Sequence, residues 1–232
     1  MTRRRRSGAA GRLYVYALVD RKYPRVKLHG RTIDCVPVGD IFAFAQRIDR
    51  APAMSEEALR EQHDVVLELA ARARAILPAR FGSIVDEEEL RRIVVLRAVQ
   101  LAAAFDLVRG REQMTVRLLG GADGVEPPAH RDSAALEGGP GARYLEERRA
   151  AAGYPLPDAV SRLTSAVRDM IFAEKAEPGQ SGVRAMLYHL IERGGSAGYC
   201  RALAGAAADV EPFTVRVTGP WPPFAFTPEL LG

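Results

Sequence analysis

The chain has 232 residues, of which 47% are hydrophobic and 27% charged, and this globular composition suffices for a sizeable core in one large or two small domains. Its net charge of +4 is matched by the arginine run at positions 3–6, so the rest is neutral and a nucleic-acid-binding protein is disfavoured. No apolar run reaches the roughly eighteen residues of a membrane-spanning helix.

The N-terminal region predicts a tail followed by strands. We expect residues 1–11 to form a solvated, disordered basic tail, and RLYVYALV (12–19) to form a strand because it is β-branched and aromatic. That segment is too short for a secretory signal, which predicts a soluble, intracellular protein. Residues 32–48 predict two strands around a Gly39–Asp40 turn, since both residues tolerate positive φ.

Two helices separated by a short strand are predicted next. The first is capped by Ser55 and ended by Pro78, with an apolar stripe at helical spacing: Leu59, His63, Val66, Ala70, Ala73 and Leu77. Residues 79–85 predict a short strand. The second helix is capped by Asp86 with Glu89, and its stripe comprises Leu90, Val94, Ala98, Leu101, Phe105 and Val108.

A half-buried strand at residues 112–120 completes the first half, because Met114, Val116 and Leu118 alternate with polar residues. Antiparallel strands mixed with helices in this way indicate an α+β fold with the helices on one sheet face. The glycine- and proline-rich segment 120–140 then predicts a linker and a domain boundary.

The apolar pattern of the second half fits more than one secondary structure in places. Residues 142–153 predict a short helix, and residues 155–176 predict a helix carrying Leu156, Val160, Leu163, Val167 and Ile171, broken at 177–179. Residues 181–192 fit strand or helix equally by pattern. Residues 194–210 favour a helix, and residues 211–219 alternate as a strand.

No residue cluster in the sequence demands catalysis. The histidines lack partners at metal-ligand spacing, and His63 is interpreted as a partly buried, hydrogen-bonded side chain. His189 and Glu192 would share a helix face only if that segment were helical, and we do not assign them a metal. Cys35 and Cys200 are predicted to be reduced, buried thiols rather than a disulfide.

Two short segments stand out for protein contacts. PARFG (78–82) joins a helix to a strand, and it is interpreted as a structural corner, with presentation of Arg80 to a partner as the alternative. TGPWPPFAF (218–226) holds the only tryptophan, and we predict that its aromatic side chains pack on the body of the protein. Its P-x-x-P spacing leaves open that the tail docks elsewhere as polyproline II.

Four ordered segments together resemble the gas vesicle accessory proteins of the GvpF/GvpL family. They are LYVYALV at the start, LPARFGS within residues 76–94 beside the family's LPVRFGT, GARYLEERR (141–149) beside G-x-x-Y-L-x-x-R, and TGPWPPFAF beside TGPWPPYSF. Phe224 and Ala225 depart from the tyrosine and serine of the family's last segment.

The resemblance implies two domains with ferredoxin-like sheets and a strand over residues 182–191. We therefore expect an N-terminal ferredoxin-like α/β sandwich (12–119), a Gly/Pro-rich linker (120–140), a C-terminal helical plus βαβ domain of modified ferredoxin-like type (141–219), and a tail (220–232) packed on the body.

The resemblance also implies a non-enzymatic accessory or minor structural protein in gas vesicle assembly. It would be cytoplasmic and gas vesicle associated, and would bind the small hydrophobic shell protein and other accessory proteins. No cofactor, metal, nucleic acid, membrane or small-molecule substrate is expected. The residues proposed for partner or interdomain contacts are Arg80, Phe81, Tyr144, Arg148, Trp221, Phe224 and Phe226. An interaction module of another assembly, acting through the proline-rich tail, is the alternative.

Overall fold

A computed structural model describes residues 12–120, 158–179 and 182–229. These residues divide into two compact units, the first comprising residues 12–113 and 221–229 and the second the described residues between 114 and 220. The elements of both units confirm the α+β fold class.

The strands and helices are numbered in chain order. The strands are β1 (Arg12–Val19), β2 (Val26–Leu28), β3 (Arg31–Val38), β4 (Ile41–Ile48), β5 (Ile76–Pro78), β6 (Ile84–Val85), β7 (Arg111–Gly120), β8 (Ile171–Pro178), β9 (Val183–Glu192) and β10 (Phe213–Trp221). The α-helices are α1 (Glu56–Arg72), α2 (Glu87–Leu96), α3 (Ala98–Val108), α4 (Asp158–Ala166) and α5 (Ser196–Ala206). None of the helices in the described part of the chain combines the length and apolar character needed to span a membrane.

The sheet of the first unit has the order β2-β3-β4-β1-β5, and β6 also pairs with β1. The predicted hairpin of β3 and β4 is confirmed, with Val38 opposite Ile41 and Gly39 at φ +61° in the turn. This positive φ is the conformation that favours glycine at a tight turn.

Strand β1 is buried on both faces, because Leu13 through Val19 are all buried. Ala17 pairs with Phe44 and belongs to the cluster that α1 covers, whereas Leu18 pairs with Ala43 on the opposite face. Helices α2 and α3 contact β3 and β5. The prediction that helices cover one face only is therefore wrong, since a strand that is apolar on both faces must be covered on both.

Helix α1 ends earlier than its pattern predicted. It stops at Arg72, and Ile76–Pro78 form β5, in which Leu77 pairs with Leu18. The residues that α1 buries are Gln62, Val65, Val66 and Leu69, whereas Leu59 of the predicted stripe is 46% exposed. A long-range strand pairing outcompetes continuation of the helix, which a local pattern cannot reveal.

The predicted second helix is two helices that meet at Arg97. Asp86 caps α2 as predicted, accepting a hydrogen bond from Glu89 N at 2.7 Å. Of the predicted stripe, Leu90, Val94, Leu101, Phe105 and Val108 are buried, while Ala98, beside the break, is exposed. The predicted strand over 79–85 is likewise reduced to the two residues of β6.

The described elements of the second unit run β7-α4-β8-β9-α5-β10, with the sheet order β10-β7-β9-β8. This is the β-α-β-β-α-β order of ferredoxin-like folds, in agreement with the modified ferredoxin-like C-terminal domain that the resemblance implied, whereas in the first unit four strands precede the first helix. Strand β7 is part of this sheet, and its residues from Met114 onward belong to the second unit. The expected linker at 120–140 lies, apart from Gly120, outside the described residues.

Strand β8 replaces the second half of a predicted helix. The helix over 155–176 was expected to reach Ile171, but α4 ends at Ala166 and Ile171 pairs with Ile191 of β9. The strand over 182–191, the helix after it and the strand at 213–217 are confirmed. Both cysteines are free, yet Cys200 is exposed and Cys35 only half-buried, so the expectation of two buried thiols is wrong.

Candidate interaction surfaces

The PARFG corner is held by a buried polar group in the first unit. The Tyr14 hydroxyl donates to Gln62 Oε1, and Gln62 Nε2 donates to the carbonyl of Ala79 at 3.2 Å. Gly82 adopts φ +81° and donates its N–H toward the Tyr14 hydroxyl at 3.4 Å. Phe81 packs edge-on against Tyr14, with 6.3 Å between ring centroids. These contacts account for the phenylalanine and the glycine of the segment as parts of a structural corner.

A bidentate ion pair lies beside this group. Arg31 donates two hydrogen bonds of 2.6 Å to the carboxylate of Glu61, which lowers the pKa of Glu61 and raises the pKa of Arg31. Burial raises the pKa of the Tyr16 hydroxyl to about 12, which keeps it neutral at physiological pH. The pair is partly exposed and screened, so it orients α1 on β3 more than it stabilises the fold.

The C-terminal segment folds onto α1 within the first unit. The imidazole of His63 meets Trp221 edge-on at a centroid distance of 5.3 Å and stacks on Phe224 at 6.0 Å. Leu59 lies one helical turn before His63 and is 46% exposed. We call Leu59, His63, Trp221 and Phe224 the tail patch. His63 was expected to be partly buried, and it is, with two aromatic rings as its neighbours.

Four kinds of contact fix the segment. Ala225 N donates to Oε1 of the buried Gln113 at 2.8 Å, and Phe226 is only 6% exposed. Pro222 and Pro223 are also buried. Arg80, an exposed side chain, pairs with Glu229 near the end of the described chain. The fixed φ of proline lowers the entropy that this ordering costs.

The predicted contact residues therefore separate into groups. Phe81 and Phe226 pack against the body, Arg80 pairs with Glu229, and Trp221 and Phe224 remain partly accessible, the latter at 38%. Tyr144 and Arg148 lie outside the described residues.

A second apolar surface lies where α2 meets α3, and it was not predicted from the sequence. Val95, Leu96 and Val99 are 65%, 73% and 87% exposed. Val95 and Val99 are four positions apart, and Ala98, Ala102 and Ala103 beside them are also exposed. We call Val95, Leu96 and Val99 the helix-junction patch. The sequence does carry a signal for it, because these residues are apolar but fall outside the predicted buried stripe.

Comparison with known protein families identifies the family of this chain. The sequence model of the family described as gas vesicle synthesis protein GvpL/GvpF matches residues 12–228, nearly the whole chain. The chain belongs to the GvpL/GvpF family. No curated protein sequence matches this GvpL/GvpF chain with significance.

Two crystal structures share the fold of this GvpL/GvpF protein. GvpF from Anabaena sp. PCC7120 superposes with a TM-score of 0.69 at 14% identity, over 94% of this chain and 98% of that one. GvpF from Microcystis aeruginosa superposes with a TM-score of 0.69 at 12% identity, over 94% and 99% of the two chains. At such identities the likeness shows the fold, while the family match supports a gas vesicle role.

The second unit of this GvpL/GvpF protein contains a polar chain around the buried His189. The Tyr199 hydroxyl lies 2.6 Å from His189 Nδ1, and His189 Nε2 lies 3.1 Å from Glu174 Oε2. Thr164 Oγ1 donates to the same carboxylate oxygen at 2.9 Å. Burial lowers the pKa of His189, opposed by Glu174. The chain joins α4, β8, β9 and α5, whereas Glu192, the partner considered from sequence, alternates to the opposite face of β9.

Proposed function

We propose that this protein is a non-enzymatic accessory or minor structural protein of gas vesicle assembly. It binds the small hydrophobic shell protein, and also other accessory proteins, in the cytoplasm and at the growing vesicle. The shell subunit exposes apolar surface before it polymerises, and such surface aggregates unless it is covered. The protein covers this surface and then releases the subunit at the shell.

The observation that carries the proposal is the helix-junction patch. Three large aliphatic side chains are more than half exposed on adjacent turns, with small alanines beside them. Aliphatic side chains in water cost free energy and are retained on a surface chiefly where a partner buries them. The alanines let an apolar helix or strand approach the backbone closely.

The tail patch supplies a second apolar contact in the proposal. Trp221 and Phe224 offer aromatic surface beside Leu59, and aromatic side chains are frequent anchors in interfaces. The alternative, in which the tail docks elsewhere as an extended polyproline peptide, is disfavoured because Pro222 and Pro223 are buried against the first unit.

Co-purification tests the proposal. The full chain is co-expressed with a small gas vesicle shell protein, and the amount of shell protein recovered is measured for Val95→Ser/Leu96→Ser/Val99→Ser. We expect recovery to fall at least tenfold, because tenfold corresponds to only about 1.4 kcal/mol and burying three aliphatic side chains contributes more apolar transfer free energy than that. Met54→Ser is the matched control, since Met54 is 80% exposed and outside both patches.

Equal recovery with the triple variant and the control would contradict the helix-junction patch as the contact. Normal vesicles in a strain lacking the gene, together with no shell protein bound by the wild type, would reject the function itself. Exposed-surface changes alter stability by about 0.5 kcal/mol or less, so loss of binding is separable from unfolding by a melting curve.

A further inference from the structure

The sheet of the second unit has two faces of different character. Residues paired across antiparallel strands share a face, so Lys175 lies beside Tyr188 and Glu177 beside Met186. Their neighbours in sequence, Glu174 and His189, point to the other face, which α4 and α5 cover. Alternation then assigns every strand residue to the covered face or to the opposite one.

The same alternation assigns β7 and β10. Met114, Val116 and Leu118 of β7 and Val215 and Val217 of β10 belong to the core under the helices. Arg117 and Arg216 therefore lie on the opposite face. Strands β7 and β10 are neighbours in the sheet, and Gly120 at the end of β7 lies close to the carbonyl oxygen of Pro212, just before β10.

Part of this opposite face is cationic and accessible, whereas Thr115 and Leu190, which alternate onto the same face, are buried. It carries four basic side chains, one from each outer strand and one from each inner strand, with a methionine and a tyrosine between them: Arg117, Lys175, Arg184, Arg216, Met186 and Tyr188. Lys175 and Arg216 are exposed and the other four are half-buried. We call these six residues the open sheet face.

The charged side chains of Arg117 and Glu177 influence the ring of Tyr188 at the centre of the open sheet face. Burial raises the pKa of the Tyr188 hydroxyl and Glu177 raises it further, whereas Arg117 lowers it. The hydroxyl lies 3.4 Å from Glu177 Oε2 and 3.7 Å from Met186 Sδ. Two acidic side chains, Glu177 and Glu192, alternate onto this face, and its four basic side chains leave an excess of positive charge.

We propose that the open sheet face is a docking surface for a protein partner that presents acidic side chains. Arginine, tyrosine and methionine are the side chains enriched in protein interfaces. A cationic face attracts an acidic partner from a distance and orients it, and Met186 and Tyr188 add apolar contact at the centre. The surface is distinct from the helix-junction and tail patches, so it stands independently of the shell-protein proposal.

A nucleic acid fits this face less well. Sheets that bind single-stranded RNA stack bases on several aromatic side chains, and here Tyr188 is the single aromatic residue among the six, with its hydroxyl against a carboxylate. Glu177 would also repel phosphates. RNA is therefore an outcome that the experiment must distinguish, not the expected ligand.

Binding to the full chain is measured by fluorescence anisotropy at low ionic strength. The probe is a short labelled peptide of alternating glutamate and leucine, and a peptide with glutamine in place of glutamate is its control. We expect saturable binding of the glutamate peptide, weakened about tenfold by Arg117→Glu/Arg216→Glu and about threefold by the milder Arg216→Gln. Arg201→Glu removes an exposed arginine from α5, on the helix side of the same unit, and should change binding by less than about twofold.

The outcomes are decisive in both directions. No saturable binding of the glutamate peptide, equal binding of the glutamine peptide, or equal weakening by Arg201→Glu would overturn the proposal. Tighter binding of labelled oligouridine than of the peptide, lost in Arg117→Glu/Arg216→Glu, would overturn it in favour of an RNA surface. If the double variant does not fold, Arg216→Gln on the exposed residue decides between these outcomes. The helix-junction variant should bind the peptide as the wild type does, which separates this proposal from the shell-protein one.

Discussion

Phe224 stacks on His63 with 6.0 Å between ring centroids and an angle of 16° between ring planes, and it is still 38% exposed. Two residues further on, Phe226 is 6% exposed. The short helical turn of residues 224–226 thus directs one phenylalanine into the first unit and leaves the other over the surface of α1. Phe226 therefore anchors the segment, and Phe224 leaves its ring accessible. The sequence alone does not distinguish these two phenylalanines.

Truncating Phe226 and truncating Phe224 should lower the free energy of unfolding by different amounts. Phe226→Ala should reduce the free energy of unfolding of the first unit by about 3–5 kcal/mol, because it leaves a cavity under the tail. Phe224→Ala is the matched control and should cost about 1 kcal/mol or less, since its ring is stacked at the surface. Trp221, the only tryptophan, lies in the same unit and reports its unfolding by fluorescence. Similar losses in both variants would contradict the anchoring role of Phe226.

The buried Gln62 should be important for the corner. Gln62→Leu removes the acceptor of the Tyr14 hydroxyl and the donor to Ala79, so we expect a loss of about 1–3 kcal/mol from unsatisfied buried groups. Gln46→Leu is the control, because Gln46 accepts from Tyr16 at 3.1 Å but is half-buried and water can replace it. Urea denaturation followed by tryptophan fluorescence measures both, and equal losses would argue against a corner held by Gln62.

The cap of α2 is a separate source of local stability. Asp86→Ala removes the side-chain acceptor of Glu89 N and should destabilise the first unit by about 1 kcal/mol. Glu88→Gln, also in the first turn, loses only a favourable charge near the helix dipole and should cost about 0.5 kcal/mol. Denaturant midpoints for the two variants give the comparison. A smaller effect for Asp86→Ala than for Glu88→Gln would mean that charge, not the hydrogen bond, dominates.

Local patterns predicted the elements that local chemistry determines. The β3–β4 hairpin follows from Gly39, and the start of α2 follows from Asp86, because a turn and a cap each depend on a few neighbouring residues. The strand β9 was predicted only through the family resemblance, since its apolar pattern fits a helix equally.

Long-range pairing explains most of the errors. Leu77 extends the helical stripe of α1, yet it pairs with Leu18, and Ile171 extends the stripe of α4, yet it pairs with Ile191. Both residues are apolar at helical spacing, so only the partner strand decides their conformation. The helix-junction patch was missed for a related reason: a predicted stripe indicates what is buried and gives no account of the apolar residues beside it.

The polar chain of Tyr199, His189 and Glu174 could not be predicted, because its members come from three elements that meet only in the folded unit. With the Tyr199 hydroxyl donating to Nδ1, Nε2 carries the proton of the neutral ring. Nε2 lies 3.1 Å from Glu174 Oε2 without hydrogen-bond geometry, and burial disfavours a second proton on the imidazole. Neutral histidine is therefore the form that the folded unit holds.

The stability of the second unit should accordingly fall in acid. Burial lowers the pKa of His189 below its ordinary value near 6.5, so the unfolded chain takes up a proton before the folded one does. The contribution of His189 is fully present above pH about 6.5 and is lost as the pH falls toward the folded pKa. We expect the free energy of unfolding, measured by hydrogen exchange of β9 amides, to decrease over this range.

Two variants identify the titrating group. His189→Gln should flatten the pH dependence, since the amide does not titrate. Tyr199→Phe keeps the imidazole and removes one hydrogen bond, so it should lower stability by about 1–3 kcal/mol at every pH while retaining a slope. Parallel curves for the wild type and His189→Gln would assign the acid sensitivity to other groups. An imidazole NMR resonance that titrates at or above its ordinary pKa would show that Glu174, rather than burial, dominates the environment of His189.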